Sequence, residues 1–96
     1  MKMVLMIVDA SLADDIKQML RECDAPGYSE LPEVLGKGET GKKLGSRAFP
    51  GSSTLFMVAL DETCVGQIRE KLATLDKTVG STEGLRAFSF DVEEMI

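Results

Sequence analysis

Two apolar runs of strand length, MVLMIV at residues 3–8 and STLFMVAL at residues 53–60, each lead into a repeat of period three to four. This order constrains the fold more than any other feature of the chain. An unbroken apolar run of this length marks a strand covered on at least one face. After the first run, Leu12, Ile16, Met19, Leu20 and Cys23 recur at helical spacing and predict an amphipathic helix over 12–24. Ser11 followed by Asp14 reads as its N-cap and reaching carboxylate. Ala25-Pro26-Gly27 cannot continue it. After the second run, Val65, Ile68, Leu72, Leu75 and Val79 predict a second helix over 62–79, with Arg69, Glu70 and Lys71 on its wet side.

Two weaker strand patterns complete the chain. In YSELPEVL, residues 28–35, the proline at position 32 restricts the segment to an edge or bulged strand. Over residues 85–92, Leu85, Ala87, Ser89 and Asp91 alternate with Arg86, Phe88, Phe90 and Val92. Gly80-Ser81-Thr82-Glu83-Gly84 reads as the turn before that strand. The order βαββαβ predicts an α+β, ferredoxin-like sandwich, in which two helices cover one face of a four-stranded antiparallel sheet. A long connection joins the second and third strands. The opposite sheet face must be buried elsewhere, and if it is apolar the subunit should associate through it. With 96 residues the chain is expected to form a single domain over 1–96. At that size about 60–65% of the unfolded surface is buried, so association adds stability.

Composition removes several function classes. There is no histidine, so histidine-based zinc sites, Ser-His-Asp triads and Cys-His dyads are unavailable. Cys23 and Cys64 stand 41 residues apart, which is neither a disulfide framework nor a paired metal motif, and both read as buried packing residues. The six methionines are scattered and read as core filling, while Asp14-Asp15 and Glu93-Glu94 do not form a catalytic dyad. The opening apolar run is too short for a signal segment or a membrane span, so a cytoplasmic protein with no direct membrane insertion is expected. Net charge is −5, which argues against a nucleic-acid platform.

Charge and glycine are unevenly placed. The segment 36–51 carries Lys37, Lys42, Lys43 and Arg47 against Glu39, a net +3, leaving −8 for the rest of the chain. Gly36 to Lys42 satisfies G-x-x-x-x-G-K, but Lys43 stands where a phosphate loop needs Ser or Thr to hold magnesium. The segment also leads through Pro50-Gly51 into a strand rather than a helix, so the NTPase reading fails. Connections of this length without their own structure are uncommon in compact domains, which favours a binding loop over a plain connection. Gly36, Gly38 and Gly41 would let the backbone approach a ligand. Lys37, Lys42, Lys43 and Arg47 would meet phosphates or carboxylates, with Phe49-Pro50 packing at the loop base.

These residues resemble a known family. Gly27-Tyr28 entering the second strand, then Val34-Leu35-Gly36-Lys37-Gly38 through Gly41-Lys42, is similar to the V-x-G-x-G opening of the T-loop of PII signal-transduction proteins. The βαββαβ layout extends the resemblance over nearly the whole chain, to the PII-like superfamily. It implies a homotrimer with sheets packed inward and no catalytic activity. It further implies an adenine nucleotide in clefts between subunits and a partner protein, a transporter or enzyme, that docks on loop 36–51. Two departures point to a divergent member: KLGSRAFPGSS lacks the tyrosine of the PII loop, and GSTEGLR leaves Arg86 as the cation nearest the second phosphate-contacting loop. The expected ligand residues are therefore Gly36, Lys37, Gly38, Gly41, Lys42, Lys43, Arg47 and Arg86. Some relatives of this kind are associated with metal efflux, so a metal-responsive regulator using Cys, Met or carboxylate groups is the alternative.

Overall fold

Along the first strand, β1 (Lys2–Asp9), successive side chains meet opposite environments: Val4, Met6 and Val8 are buried while Ile7 is exposed. β5 (Ser53–Leu60) repeats the pattern, with Thr54, Phe56, Val58 and Leu60 buried and Met57 exposed. Antiparallel register pairs Val4 with Val58, Met6 with Phe56 and Val8 with Thr54, so the buried sets of the two strands share one face. This period-two alternation is how a sheet packs one side only.

The computed structural model of the protein describes residues 1–38, 41–43, 52–79 and 84–96, with 36–38, 41–43 and 79 described by their backbone. Its elements run β1, a 3-10 turn (Ala10–Leu12), α1 (Ala13–Glu22), β2 (Ser29–Val34), β3 (Gly36–Gly38), β4 (Gly41–Lys43), β5, α2 (Glu62–Val79) and β6 (Leu85–Asp91). The main sheet is antiparallel in the order β2-β5-β1-β6. Ile16, Met19 and Leu20 of α1 and Val65 and Ile68 of α2 pack with the buried strand residues in one cluster, so both helices cover the same face. This is the ferredoxin-like architecture that the hydrophobic periods predict.

Among the described residues three ion pairs join neighbouring elements: Lys2 with Asp91 at 2.6 Å, Lys17 with Glu30 at 3.2 Å and Lys71 with Glu22 at 2.9 Å. Hydrogen bonding to Lys2 holds the Asp91 carboxyl below its ordinary range, and hydrogen bonding to Lys71 does the same for Glu22. These pairs are solvated and orient side chains more than they stabilise the fold.

The edge position expected for the proline-bearing strand is observed, and so is its irregularity. β2 is one of the two edge strands of the main sheet, and its pairing with β5 shifts between Leu31 and Val34. Glu33, directly after Pro32, has a positive φ of 61°. The bulge absorbs the residue that cannot donate to the ladder.

The end of α1 is a Schellman turn. Asp24 N–H donates to the Arg21 carbonyl at 3.1 Å and Ala25 N–H to the Leu20 carbonyl at 3.1 Å, with Asp24 at φ 56°. That left-handed position usually holds glycine because a Cβ is strained there. Asp24→Gly should therefore stabilise the protein by about 0.5–1 kcal/mol. The measurement is the urea midpoint at unchanged m-value, and a lower midpoint would contradict the role given to Asp24.

Candidate functional site

The four strands stop together at one end of the sheet. Register sets Val8 against Leu85, and both Asp9 and Val34 against Ser53, so the last residues of β1 and β2 lie beside the first residues of β5 and β6. Two backbone bonds hold this end: Asp9 N–H donates to the Gly84 carbonyl and Ala10 N–H to the Ser52 carbonyl, each at 2.7 Å. The described flanks of both glycine-rich segments are thus tied to the turn that leaves β1. A short β1 exit that must satisfy its own N–H groups does the tying.

Asp9 shapes that exit. Its carboxylate accepts from the Ser11 backbone N–H at 3.0 Å and from the Ser11 hydroxyl at 2.6 Å, capping the 3-10 turn. The expectation that Ser11 caps the helix is corrected: Ser11 is a donor, and Leu12 precedes α1 without a side-chain cap. The strand passes straight into a 3-10 turn, so the orphan N–H groups occur one turn earlier than the hydrophobic period suggests. The D-x-S pattern at residues 9–11 was the available signal, because an Asp commonly accepts from the backbone two residues on.

Segment 36–51 carries structure of its own at its start. β3 and β4 form an antiparallel ribbon in which Gly36 pairs with Lys43, Lys37 with Lys42 and Gly38 with Gly41. Leu35 alone separates this ribbon from β2, so Gly36 and Lys43 are anchored close to the sheet end. The register also sets positions 37 and 42, both lysine in the sequence, directly opposite one another. Arg47, Phe49-Pro50 and the turn at 80–83 lie outside the described residues.

Arg86 is the second residue of β6 and stands in register opposite Ile7, on the sheet face away from the helices. Its Nη1 donates to the Leu85 carbonyl at 3.2 Å. The structure therefore brings Gly36, Lys43 and Arg86 to the same end of the sheet, with Lys37, Gly38, Gly41 and Lys42 further along the ribbon.

The face beside Arg86 is bare and apolar. Phe88 and Phe90 are 53% and 50% exposed, and register places them against Leu5 and Met3, which in turn face Met57 and Ala59. Leu31 extends the surface onto β2 at 45% exposure. Contiguous exposed apolar patches are characteristic of interaction surfaces in general.

Other features are less promising. A groove of about 260 Å³ between α2 and β6, lined by Val65, Ile68, Leu72, Ala87 and Phe88 with Arg69 at its rim, offers little polar chemistry. Among the described residues no three Cys, Asp or Glu side chains come together as metal ligands. No described helix is long and apolar enough to cross a membrane.

A family model described as nitrogen regulatory protein P-II matches residues 1–96. No curated protein sequence matches the chain. Among solved structures, CPII, a nitrogen regulatory PII-like protein from Thiomonas intermedia K12 bound to ADP, AMP and bicarbonate, superposes with a TM-score of 0.80 at 18% identity, covering 95% of this chain and 84% of that one. The apo form of CPII superposes at 0.67 with 14% identity, covering 95% and 89%. A PII-like signalling protein from Thermus thermophilus gives 0.69 at 16% identity, covering 95% and 84%.

The cap assignment is testable. Asp9→Ala should lower unfolding free energy by about 1 kcal/mol, and Ser11→Ala by less than half of that. Equal losses in thermal or urea melts, or a larger loss at Ser11, would return the cap to Ser11.

Proposed function

The chain belongs to the nitrogen regulatory protein P-II family, and from that premise we propose that it is a trimeric, non-catalytic signalling protein of the cytoplasm. In this reading the single domain 1–96 takes an adenine nucleotide at clefts between subunits and reports its presence to a partner protein through segment 36–51. The carrying observation is the convergence of the flanks of both glycine-rich segments on the β1 exit, next to an apolar sheet face that the subunit leaves uncovered. A cleft built there between two copies would combine an apolar wall for a base with Arg86 and the ribbon lysines for phosphates.

Three further points support the reading. The lysine positions paired across the ribbon, 37 and 42, favour a bound anion. CPII, which has the same fold, is bound to ADP, AMP and bicarbonate. A glycine-rich segment samples many conformers, so a ligand that fits one of them shifts the population and with it the surface a partner meets. Gly36, Gly38 and Gly41 supply that range. Lys37, Lys42, Lys43, Arg47 and Arg86 supply recognition of the anion or of an acidic partner surface.

Calorimetry with ATP, ADP and AMP, each with and without bicarbonate, tests the ligand. Binding of at least one nucleotide is expected, weakened roughly tenfold or more by Lys42→Ala and by Arg86→Ala, as for loss of one charge-assisted contact. No heat with any nucleotide would remove the adenine-nucleotide reading.

Light scattering on the purified protein tests the assembly. The wild type should have three times the subunit mass, and Phe88→Glu with Phe90→Glu should yield monomers, because buried unpaired carboxylates oppose the packed face. A monomeric wild type, or a trimer indifferent to both glutamates, would place the interface elsewhere.

A further inference from the structure

Two cysteines that are remote in sequence meet at the outer seam between the helices. Cys23 ends α1 and is buried, while Cys64 lies in the first turn of α2 and is partly exposed. The Cys64 thiol donates to the Cys23 carbonyl oxygen at 3.3 Å. A carbonyl oxygen lies about 2.4 Å from its own Cα, so Cys64 Sγ is within about 6 Å of Cys23 Cα and the two Cα atoms are within about 9 Å. A disulfide draws them to roughly 4.4–6.8 Å, a small closure of the seam. Cys23 Sγ is itself turned back to the Leu20 carbonyl at 3.6 Å, a weak contact that a χ1 rotation releases.

The surroundings fix the two ends. The Schellman turn at 24–25 holds the backbone after Cys23, and Asp61 Oδ1 accepts from Cys64 N–H at 2.8 Å to hold the start of α2. Glu22 and Lys71 bridge the same two helices at 2.9 Å. The end of α1 and the start of α2 are therefore held beside one another by three separate restraints, on the side of the sheet opposite the bare apolar face.

We propose that Cys23 and Cys64 are a redox-modification site, forming a reversible intramolecular disulfide that staples the end of α1 to the start of α2. With hydrogen peroxide as oxidant, the more exposed Cys64 thiolate attacks one peroxide oxygen. An S–O bond forms, the O–O bond breaks and hydroxide leaves, giving a sulfenic acid. The Cys23 thiolate then attacks that sulfur: the S–S bond forms and the S–O bond breaks, with the oxygen leaving as water once protonated. Two thiols and one peroxide thus become one disulfide and two waters, two electrons passing to the peroxide. A dithiol reductant reverses the change by exchange. The cross-link closes the chain from Cys23 to Cys64, enclosing β2, the β3-β4 ribbon and β5, and so restrains the run 24–28 that delivers the chain into β2.

The test uses the full chain. Peroxide is added at about pH 9, because burial and the neighbouring Asp61 carboxylate push the Cys64 thiol up and so deplete the reactive thiolate. Intact mass should fall by two hydrogens with no covalent dimer, and the melting temperature should rise by at least about 5 °C and return with dithiothreitol. Cys64→Ala and Cys23→Ser should each abolish the mass loss. Oxygen additions without loss of two hydrogens, covalent dimers as the main product, or an unchanged melting temperature would overturn the proposal on wild-type protein alone. The outcome is independent of whether a nucleotide binds.

Discussion

Everything in this structure depends on burying one face of a sheet and not the other. Val4, Met6, Val8, Phe56, Val58 and Leu60 are sealed beneath two helices that supply Ile16, Leu20, Val65 and Ile68. The alternate residues of the same strands, Ile7 and Met57 among them, are also apolar and remain uncovered. A half-buried strand layer usually alternates apolar with polar, and this sheet is instead apolar on both sides, leaving a second face whose burial would be favourable. For a chain this short the second burial matters energetically, because one small core gives a narrow margin of stability.

The same geometry places the candidate site. Since the strands are antiparallel and in register, the end of β1 meets the starts of β5 and β6, and the short bonds from Asp9 and Ala10 fasten the flanks of two glycine-rich segments there. Paired strands thus hold the described flanks of both segments together at one end of the sheet. The other end of the sheet is closed differently, by the Lys2–Asp91 pair and the bond from Val92 N–H to the Met1 carbonyl at 3.2 Å. The helical side has its own seam, where Cys23, Cys64, Glu22 and Lys71 meet. The helical seam lies on the opposite side of the sheet from the apolar face, so changes at one can be read without dismantling the other.

Where residue pattern and burial coincide, the chain announced its own structure. The run at Ser53–Leu60 and the helix at Glu62–Val79 follow directly from hydrophobic period, and Pro32 identified its strand as an edge with a bulge because proline cannot donate to a ladder. The charge bias of 36–51 likewise marked the segment without any structural knowledge. The β3-β4 ribbon left no such trace, because three glycines in six paired residues carry no hydrophobic period. Asp9 was hidden for a related reason: a cap is a local hydrogen bond, and the periodic apolar residues after it pointed to Ser11 instead.

The sequence by itself determined the order of the two helices and the four main-sheet strands, the single-sided burial by helices and the absence of histidine chemistry, since these depend on periodicity and residue type along the chain. Only the tertiary structure decided which residues meet across it. Register joined Arg86 to Ile7 and to the β1 exit, and helix packing brought Cys64 to Cys23 across a separation of 41 residues. Contacts of that range are set by how the layers stack, and no local pattern of side chains encodes them.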